Sequence, residues 1–488
     1  MSAQFESLRG ILGFLGVSLD GYSAADLDIP IRGVSVESSK VSSGDIFVAM
    51  PGAHTHGAHF VADAIDRGAI ALVTDAEGAR IANASIPVVQ IENIRAKVGD
   101  LSSLVYGNPS STMCVVAVTG TNGKTTTTSL LEYFWNGSGL SAGVIGTLGA
   151  RYHTQGKTVT LPSARTTPEA SELQRNLAIM RDAGVKCVAM EVSSHALSLH
   201  RVDGIHFELS LFTNLTQDHL DFHHTMEEYF QAKAELFTSK FSAGALINAD
   251  DSFGARLLAK SEIPSISISA NKGDWQLSPA DFQLTSPDGV VHIIESPLVG
   301  DFNRMNAAMA LVAFVQTGGD IEVGIDLLRS FQGVPGRLEQ VGNGSPLVLV
   351  DYAHTPDAVA RVLSSLRSHT RGRIIAVLGC GGDRDPLKRP EMGNALQRGA
   401  DLAIATSDNP RSEDPAAILD SMCGENFRGV RILDRREAIS FAISQAADED
   451  LILIAGKGHE QGQEINGVIT DFDDRQVALE ILAEQGRS

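Results

Sequence analysis

Short runs of aliphatic and β-branched residues recur along the chain, and longer, alanine-rich amphipathic stretches separate them. In the first part, runs at 45–50, 69–74 and 86–91 predict strands and 59–67 a helix, the makings of a small α/β domain. An apolar stretch at 11–19 reads as a core helix: Glu6 precedes it, and neither a basic leader nor a clean small-residue cleavage site flanks it. The polar, turn-rich Gly107-Asn108-Pro109-Ser110-Ser111 predicts a linker. Beyond it, a run ending at Thr119 and further runs at 186–192 and 209–213 predict buried strands. Helices are expected over 226–240 and 303–316, with a hairpin excursion at 275–296. From 341 the alternation is cleanest. Strands at 347–350, 373–378, 402–406, 430–433 and 451–455 interleave with helices at 357–368, 390–398, 416–423 and 436–447, which predicts a doubly wound parallel sheet. The fold class is therefore α/β with three domains: 1–110, a central P-loop-containing parallel-sheet domain over 111–337, and a Rossmann-like doubly wound domain over 338–488.

Length agrees with that division, since 488 residues exceed what one core organises. Hydrophobic content of 43% and charged content of 20% are those of a globular enzyme. The net charge of −20 argues against nucleic acid or an anionic membrane as partner, and requires local cations wherever an anionic substrate binds. No run approaches the ~18 apolar residues of a spanning helix. Four scattered cysteines lack disulfide or metal spacing. A cytoplasmic monomer with thiols used for packing is expected.

Chemistry concentrates where predicted strands end. Val115 to Thr119 leads into Gly120-Thr121-Asn122-Gly123-Lys124-Thr125-Thr126, a glycine-containing turn opening a helix, which is how a chain holds a nucleoside triphosphate. Lys124 would reach the outer phosphates and the Thr125 hydroxyl would ligate Mg²⁺. Valine stands at 118, where the usual loop pattern has glycine. Glu191 ends a buried-type strand, so it either serves a hard cation or caps the following helix. His195, His219, His223 and His224 have no cysteine neighbour and no zinc spacing; of these, His219 is the candidate metal or phosphate neighbour. Lys233 reads by local pattern as an exposed helical lysine. Arg384, Arg411 and Lys457 end strands of the last domain and could together clamp carboxylates, or else pair with Asp383, Asp385 and Asp414. A phosphate loop with a Mg²⁺ site and a remote carboxylate-binding domain predicts ATP-driven activation of an acid for attack by an amine.

The combination resembles the Mur ligase family. Gly120 to Thr126, Glu191-Val192-Ser193-Ser194-His195, Thr213-Asn214 with Asp218-His219-Leu220-Asp221, and Asp351-Tyr352-Ala353-His354-Thr355-Pro356 follow the family's motifs in order over nearly the whole chain. Asp408-Asn409-Pro410-Arg411 is similar to the signature of its diaminopimelate-adding branch. The resemblance implies an ADP-forming ligase joining meso-diaminopimelate to UDP-N-acetylmuramoyl-L-alanyl-D-glutamate through an acyl phosphate. It implies that Lys233 is carbamylated and shares a Mg²⁺ site with Glu191 and His219. Asn303 and Asn306 would lie near adenine, and Arg337 and Asp351 at phosphate and ribose. Thr166, Thr167, Ser193 and Arg201 would hold the muramoyl-dipeptide, with Ser39 near uridine. Arg384, Asp408, Asn409, Arg411, Gly456 and Glu460 would bind diaminopimelate. Two positions depart from the family pattern: Arg165 replaces asparagine, and Ser38-Ser39-Lys40 replaces Asp-Ser-Arg. The rivals are a lysine-adding version, a folylpolyglutamate synthase-like ligase, and a regulatory P-loop ATPase.

Overall fold

The computed structural model describes residues 7–52, 54–163, 165–278 and 281–487. Three main sheets follow one another along the chain. The first is a four-stranded parallel sheet, Gly33–Ser35, Asp45–Ala49, Ala71–Thr74 and Val88–Gln90, in sequence order. The helix expected at 11–19 lies at Leu8–Leu15 and stops at Gly16, whose φ of 68° is a left-handed cap. The expected 107–111 linker runs into a single 3₁₀ turn, Pro109–Thr112.

The second sheet has eleven strands. Its parallel centre sets Cys114–Thr119 between Cys187–Glu191 and Leu209–Phe212. Each inner strand is buried along almost its whole length and mostly apolar because helices cover both faces, giving separate buried clusters around Phe212 and around Trp135. Antiparallel strands extend both edges. The expected hairpin near 275–296 is a three-strand meander, Trp275–Leu277, Gln283–Thr285 and Val291–Ile293, with positions 279 and 280 outside the described residues. The opposite edge, Ala142–Gly146, Gly149–Thr154 and Lys157–Leu161, was not anticipated. Its Gln155-Gly156 turn has φ of 48° and 72°, the left-handed pair that a two-residue hairpin uses.

The third sheet runs Glu339–Val341, Leu347–Asp351, Leu451–Ala455, Ile374–Cys380, Leu402–Ser407, Val430–Arg431, parallel except for its first strand. All four helices expected here form, again covering both faces. A hairpin of Gly462–Ile465 and Val468–Asp471 went unread although Asn466-Gly467 is a strong two-residue turn signal. The helix expected over 226–240 ends earlier, at Ala234, and continues as a 3₁₀ turn over Glu235–Phe237.

Candidate active site

The phosphate-loop strand remains in its ladder through Thr119. Val118 is buried and paired with Glu191 on one side and Leu211 on the other, so the turn begins only at Gly120. That is why valine is tolerated at 118. Gly120 (φ 147°) and Gly123 (φ 89°) cannot be replaced in the same way: a Cβ would stand 2.0 Å from Thr213 Oγ1 and 2.3 Å from Asn306 Oδ1. Asn214 braces the loop from the next strand, accepting the Asn122 N–H at 3.0 Å and donating to the Asn122 carbonyl at 3.0 Å. The helix Lys124–Gly137 then starts with its N-terminus aimed into a cavity of about 530 Å³. Lys124 Nζ donates to the Gly120 and Thr121 carbonyls, both at 2.9 Å. Burial lowers its pKa.

Glu191 is 1% exposed. It does not cap the following helix; Ser193 does that, accepting from Ala196 N–H at 3.2 Å. Both Glu191 oxygens instead accept from Thr147, the backbone N–H at 2.9 Å and the hydroxyl at 3.0 Å. Thr147 was missed because its strand was missed, although an apolar run, Ala142–Gly146, leads to it.

Lys233 overturns the local reading of an exposed lysine, being 1% exposed. The sheet brings it behind the phosphate loop, where Nζ donates to Gly120 O at 3.1 Å and Thr119 Oγ1 at 3.3 Å and lies 4.8 Å from the Tyr229 ring centre. Burial, reinforced by the Lys124 charge, pushes its pKa well down despite Asp218. The ammonium form is disfavoured there and the nucleophilic free amine correspondingly favoured. His219 lies between Asp218 and the His195 ring, 4.7 Å away centre to centre, and burial leads its pKa down to about 4. At neutral pH its imidazole lone pair is free for a cation or a hydrogen bond.

The opposite wall of the cavity comes from the third sheet and the segments before it. Arg337 Nη2 donates to Thr125 Oγ1 at 3.1 Å while its guanidinium stacks 4.4 Å from the Tyr352 ring centre. Asp351 accepts the Leu338 and Ala353 N–H groups at 2.8 and 2.7 Å; its pKa is raised, burial outweighing those bonds and Arg337. Asn303 and Asn306 are buried on one helix, Asn306 Nδ2 donating to Asn303 Oδ1 at 3.1 Å. The structure thus gathers the phosphate loop, Glu191, His219, Asn303, Asn306, Arg337 and Asp351 around one cavity, with Lys233 directly behind it.

A second group surrounds the end of Cys187–Glu191. Thr166 Oγ1 lies 3.1 Å from Thr147 Oγ1. Thr167 Oγ1 donates to Glu191 O at 2.9 Å and accepts Ser193 N–H at 3.1 Å. Arg201 pairs with Glu169 at 2.8 Å. The two departures from the family pattern meet here. Arg165 lies 3.6 Å from Glu169 and 3.8 Å from Glu37, and Glu37 and Glu172 hold Lys40 at 3.2 and 2.8 Å. One chain of ion pairs therefore ties the first sheet's segment to the second, each partly exposed link contributing roughly 0–1 kcal/mol. Ser39 is exposed on the one-turn 3₁₀ helix Ser38–Lys40, away from the large cavity.

The third group lies at strand ends of the last sheet, outside the cavity. Arg411 holds a left-handed φ of 54°, its N–H bonded to Glu464 O at 2.9 Å and its carbonyl accepting Asn466 N–H at 2.6 Å. The overlooked hairpin thus sets its backbone. Its Nη1 donates to Gly382 O at 2.7 Å. Asn409 donates to Glu460 at 2.7 Å. Gly456 holds a left-handed φ of 111°, which a side chain rarely adopts, and a Cβ there would stand 2.6 Å from Asp408 Oδ2. Arg384 is exposed. Lys457 is not part of a clamp. Its side chain is fully buried and donates to Asn409 Oδ1 at 3.1 Å and Gly462 O at 2.6 Å, so it orients Asn409 from below.

Beneath this group, Arg435 and Asp474 form a fully buried bidentate pair, both contacts 2.7 Å. Arg435 also donates to Ser407 O and Ala455 O, the carbonyls just before Asp408 and Gly456. Arg435→Leu should cost about 3–5 kcal/mol, since a buried carboxylate loses its partner. A lower unfolding midpoint in guanidinium, with Arg435→Lys intermediate, is the expected measurement.

Comparison with known proteins was consistent across the chain. Residues 30–106 match the Mur ligase family catalytic domain, 118–314 the Mur ligase middle domain, and 336–458 the Mur ligase glutamate ligase domain. A Streptomyces coelicolor protein named UDP-N-acetylmuramoyl-L-alanyl-D-glutamate–2,6-diaminopimelate ligase is 45% identical over 486 residues, covering 95% of this chain and 94% of its own. A solved structure bearing the same name is 33% identical and aligns with a TM-score of 0.69 over 99% of both chains. E. coli FolC in complex with ADP, at 22% identity and a TM-score of 0.60, covers 80% of this chain and shares the fold.

Proposed function

Because the chain belongs to the Mur ligase family, we propose that it is the ATP-dependent, ADP-forming ligase that joins meso-diaminopimelate to the D-glutamate carboxylate of UDP-N-acetylmuramoyl-L-alanyl-D-glutamate in cytoplasmic peptidoglycan synthesis. The observation that carries the reading is the meeting, at one cavity, of a phosphate loop, a buried carboxylate and a buried lysine. Among the described residues no cluster of three or more His, Cys, Asp or Glu side chains could hold a metal. Mg²⁺ suits the donors that are present, because it takes one or two carboxylates and completes its shell with phosphate oxygens and water. Thr125, Glu191 and His219 would hold it, with a carbamate on Lys233. That carbamate forms when the neutral Nζ adds to the carbon of CO₂ and releases one proton. When bound, the cation neutralises the charge building on the transferring phosphoryl group.

Lys124 and the loop N–H groups hold the nucleotide phosphates, and Arg337 reaches toward them from the other wall. Asn303 and Asn306 would flank adenine, and Asp351 the ribose. Thr166, Thr167, Ser193 and Arg201 present the dipeptide carboxylate to the γ-phosphoryl group, with Ser39 toward uridine. As the carboxylate oxygen bonds phosphorus, the bond to ADP breaks. The amine then attacks the acyl carbon, phosphate leaves and the amine loses a proton. Arg384, Asp408, Asn409, Arg411, Gly456 and Glu460 orient that amine. A phosphate-release assay is expected to show turnover only with both the UDP-linked dipeptide and meso-diaminopimelate. Equal turnover with L-lysine would count against the Arg411 reading. A folylpolyglutamate synthase reading shares the fold, yet leaves the Asp408 to Arg411 cluster without a role.

A further inference from the structure

Helix Lys388–Gly399 starts shortly after Arg384, and its first side chain leaves its own sheet unit. Lys388 Nζ lies 3.1 Å from Asp218 Oδ1 on the central unit. The same Asp218 oxygen accepts the His219 N–H at 2.9 Å, and Asp218 Oδ2 lies 3.4 Å from His219 Nε2. His219 has a left-handed φ of 53°, a conformation that a non-glycine residue keeps only where its surroundings hold it. Asp218 therefore fixes the backbone of His219, faces its imidazole, and takes a cation from the other unit.

Two features separate this contact from an ordinary surface ion pair. Its side chains are 29% and 12% exposed, so solvent and salt screen it less than the outer pairs. It also spans two separately cored sheets, and such interfaces permit relative motion unless something holds them. The segment between Cys380 and Lys388 carries Arg384, which the ligase reading sets against a carboxylate of the incoming amino acid. Asp385 already organises that segment by accepting Leu387 N–H at 3.0 Å. Anything that orders Arg384 thus also orders the start of the helix bearing Lys388.

We propose that Lys388 is a positioning residue for the ligase reaction: by gripping Asp218 it docks the amino-acid-binding unit onto the central unit and sets His219 in the same event. Amine occupancy and the phosphoryl-transfer site are thereby coupled through one ion pair. The role in turnover rests on the function proposed above; the docking contact itself does not.

The test uses the full chain with Lys388→Met, Lys388→Arg, Asp218→Asn and the double variant Lys388→Met/Asp218→Asn. Small-angle scattering without ligands should give Lys388→Met a larger radius of gyration than wild type and Lys388→Arg a wild-type value. An unchanged radius in Lys388→Met overturns the latch. In phosphate release with both co-substrates, kcat should fall about tenfold in Lys388→Met, with KM for the UDP-linked substrate nearly unchanged and most activity restored by Lys388→Arg. The double variant should lose little beyond the worse single variant, because both remove one interaction. Fully multiplicative losses, or wild-type kcat in Lys388→Met, overturn the coupling. If wild type released no phosphate with both co-substrates, the functional reading would fail, and the scattering arm would still decide the latch.

Discussion

Exchanging Lys233 for alanine is expected to lower kcat by roughly 10²–10³-fold, the scale of losing one preorganised electrostatic group at a transition state. Local sequence gives no warning of this. The residue sits in a helix with glutamates at its start and would ordinarily be a solvated lysine. The sheet places it under Gly120 instead, where burial and the Lys124 charge push its pKa well down and disfavour the ammonium form. The uncharged form of such an amine adds to CO₂, and the carbamate that results presents an anionic oxygen ligand to the phosphate loop. The variant removes that ligand and leaves space for a small one. Formate or acetate in the millimolar range should therefore restore part of the activity of Lys233→Ala, and leave wild type unaffected. Near-wild-type activity without added acid would refute the carbamate role. A dead variant that no acid rescues would leave lysine itself, not its carbamate, as the group that matters.

The second large effect concerns the incoming amine. Arg411→Ala should raise KM for meso-diaminopimelate by about 30- to 5000-fold, the equivalent of about 2–5 kcal/mol for removing one member of a desolvated charge pair. Binding of the UDP-linked substrate should barely change, because Arg411 lies outside the cavity that holds the phosphate loop. Discrimination against L-lysine should collapse with it, since diaminopimelate differs by the second carboxylate that a guanidinium reads bidentately. Lys457→Met predicts a different outcome. That lysine touches Asn409 and the hairpin carbonyl of Gly462, so its loss should weaken diaminopimelate and lysine alike and lower stability. Comparing the two variants against both amines separates a residue that reads the substrate from one that orients another residue. Equal losses toward both amines in Arg411→Ala would remove it from the specificity site.

Some of this architecture was legible from the chain alone, and the reason is local. Strands buried on both faces must be apolar along their length, and helices crossing them must be amphipathic, so 347–455 declared its alternation residue by residue. The phosphate loop is equally local: glycines, lysine and threonine act within one turn. Where the reading failed, it failed at antiparallel edges. The Gly149–Leu161 and 462–471 hairpins are short and partly exposed, so their apolar signal is weak, although Gln155-Gly156 and Asn466-Gly467 marked both turns; Ala142–Gly146 is buried and apolar, pairs parallel with Cys187–Glu191, and went unread all the same. Missing Ala142–Gly146 hid Thr147, and missing the 462–471 hairpin hid what sets the Arg411 backbone.

The sequence by itself determined the fold class, the nucleotide loop and the strand ends at which chemistry would be found, because each depends on residues near one another in the chain. Only the tertiary structure decided the state of individual charges. Lys233, Lys457 and Arg384 are all cations in polar contexts on paper. Packing buries the first two, sets one behind the phosphate loop where its ammonium form is disfavoured, makes the other a brace, and leaves the third in solvent. Burial and long-range pairing set a side chain's charge and partners, and neither is a property of its neighbours in sequence.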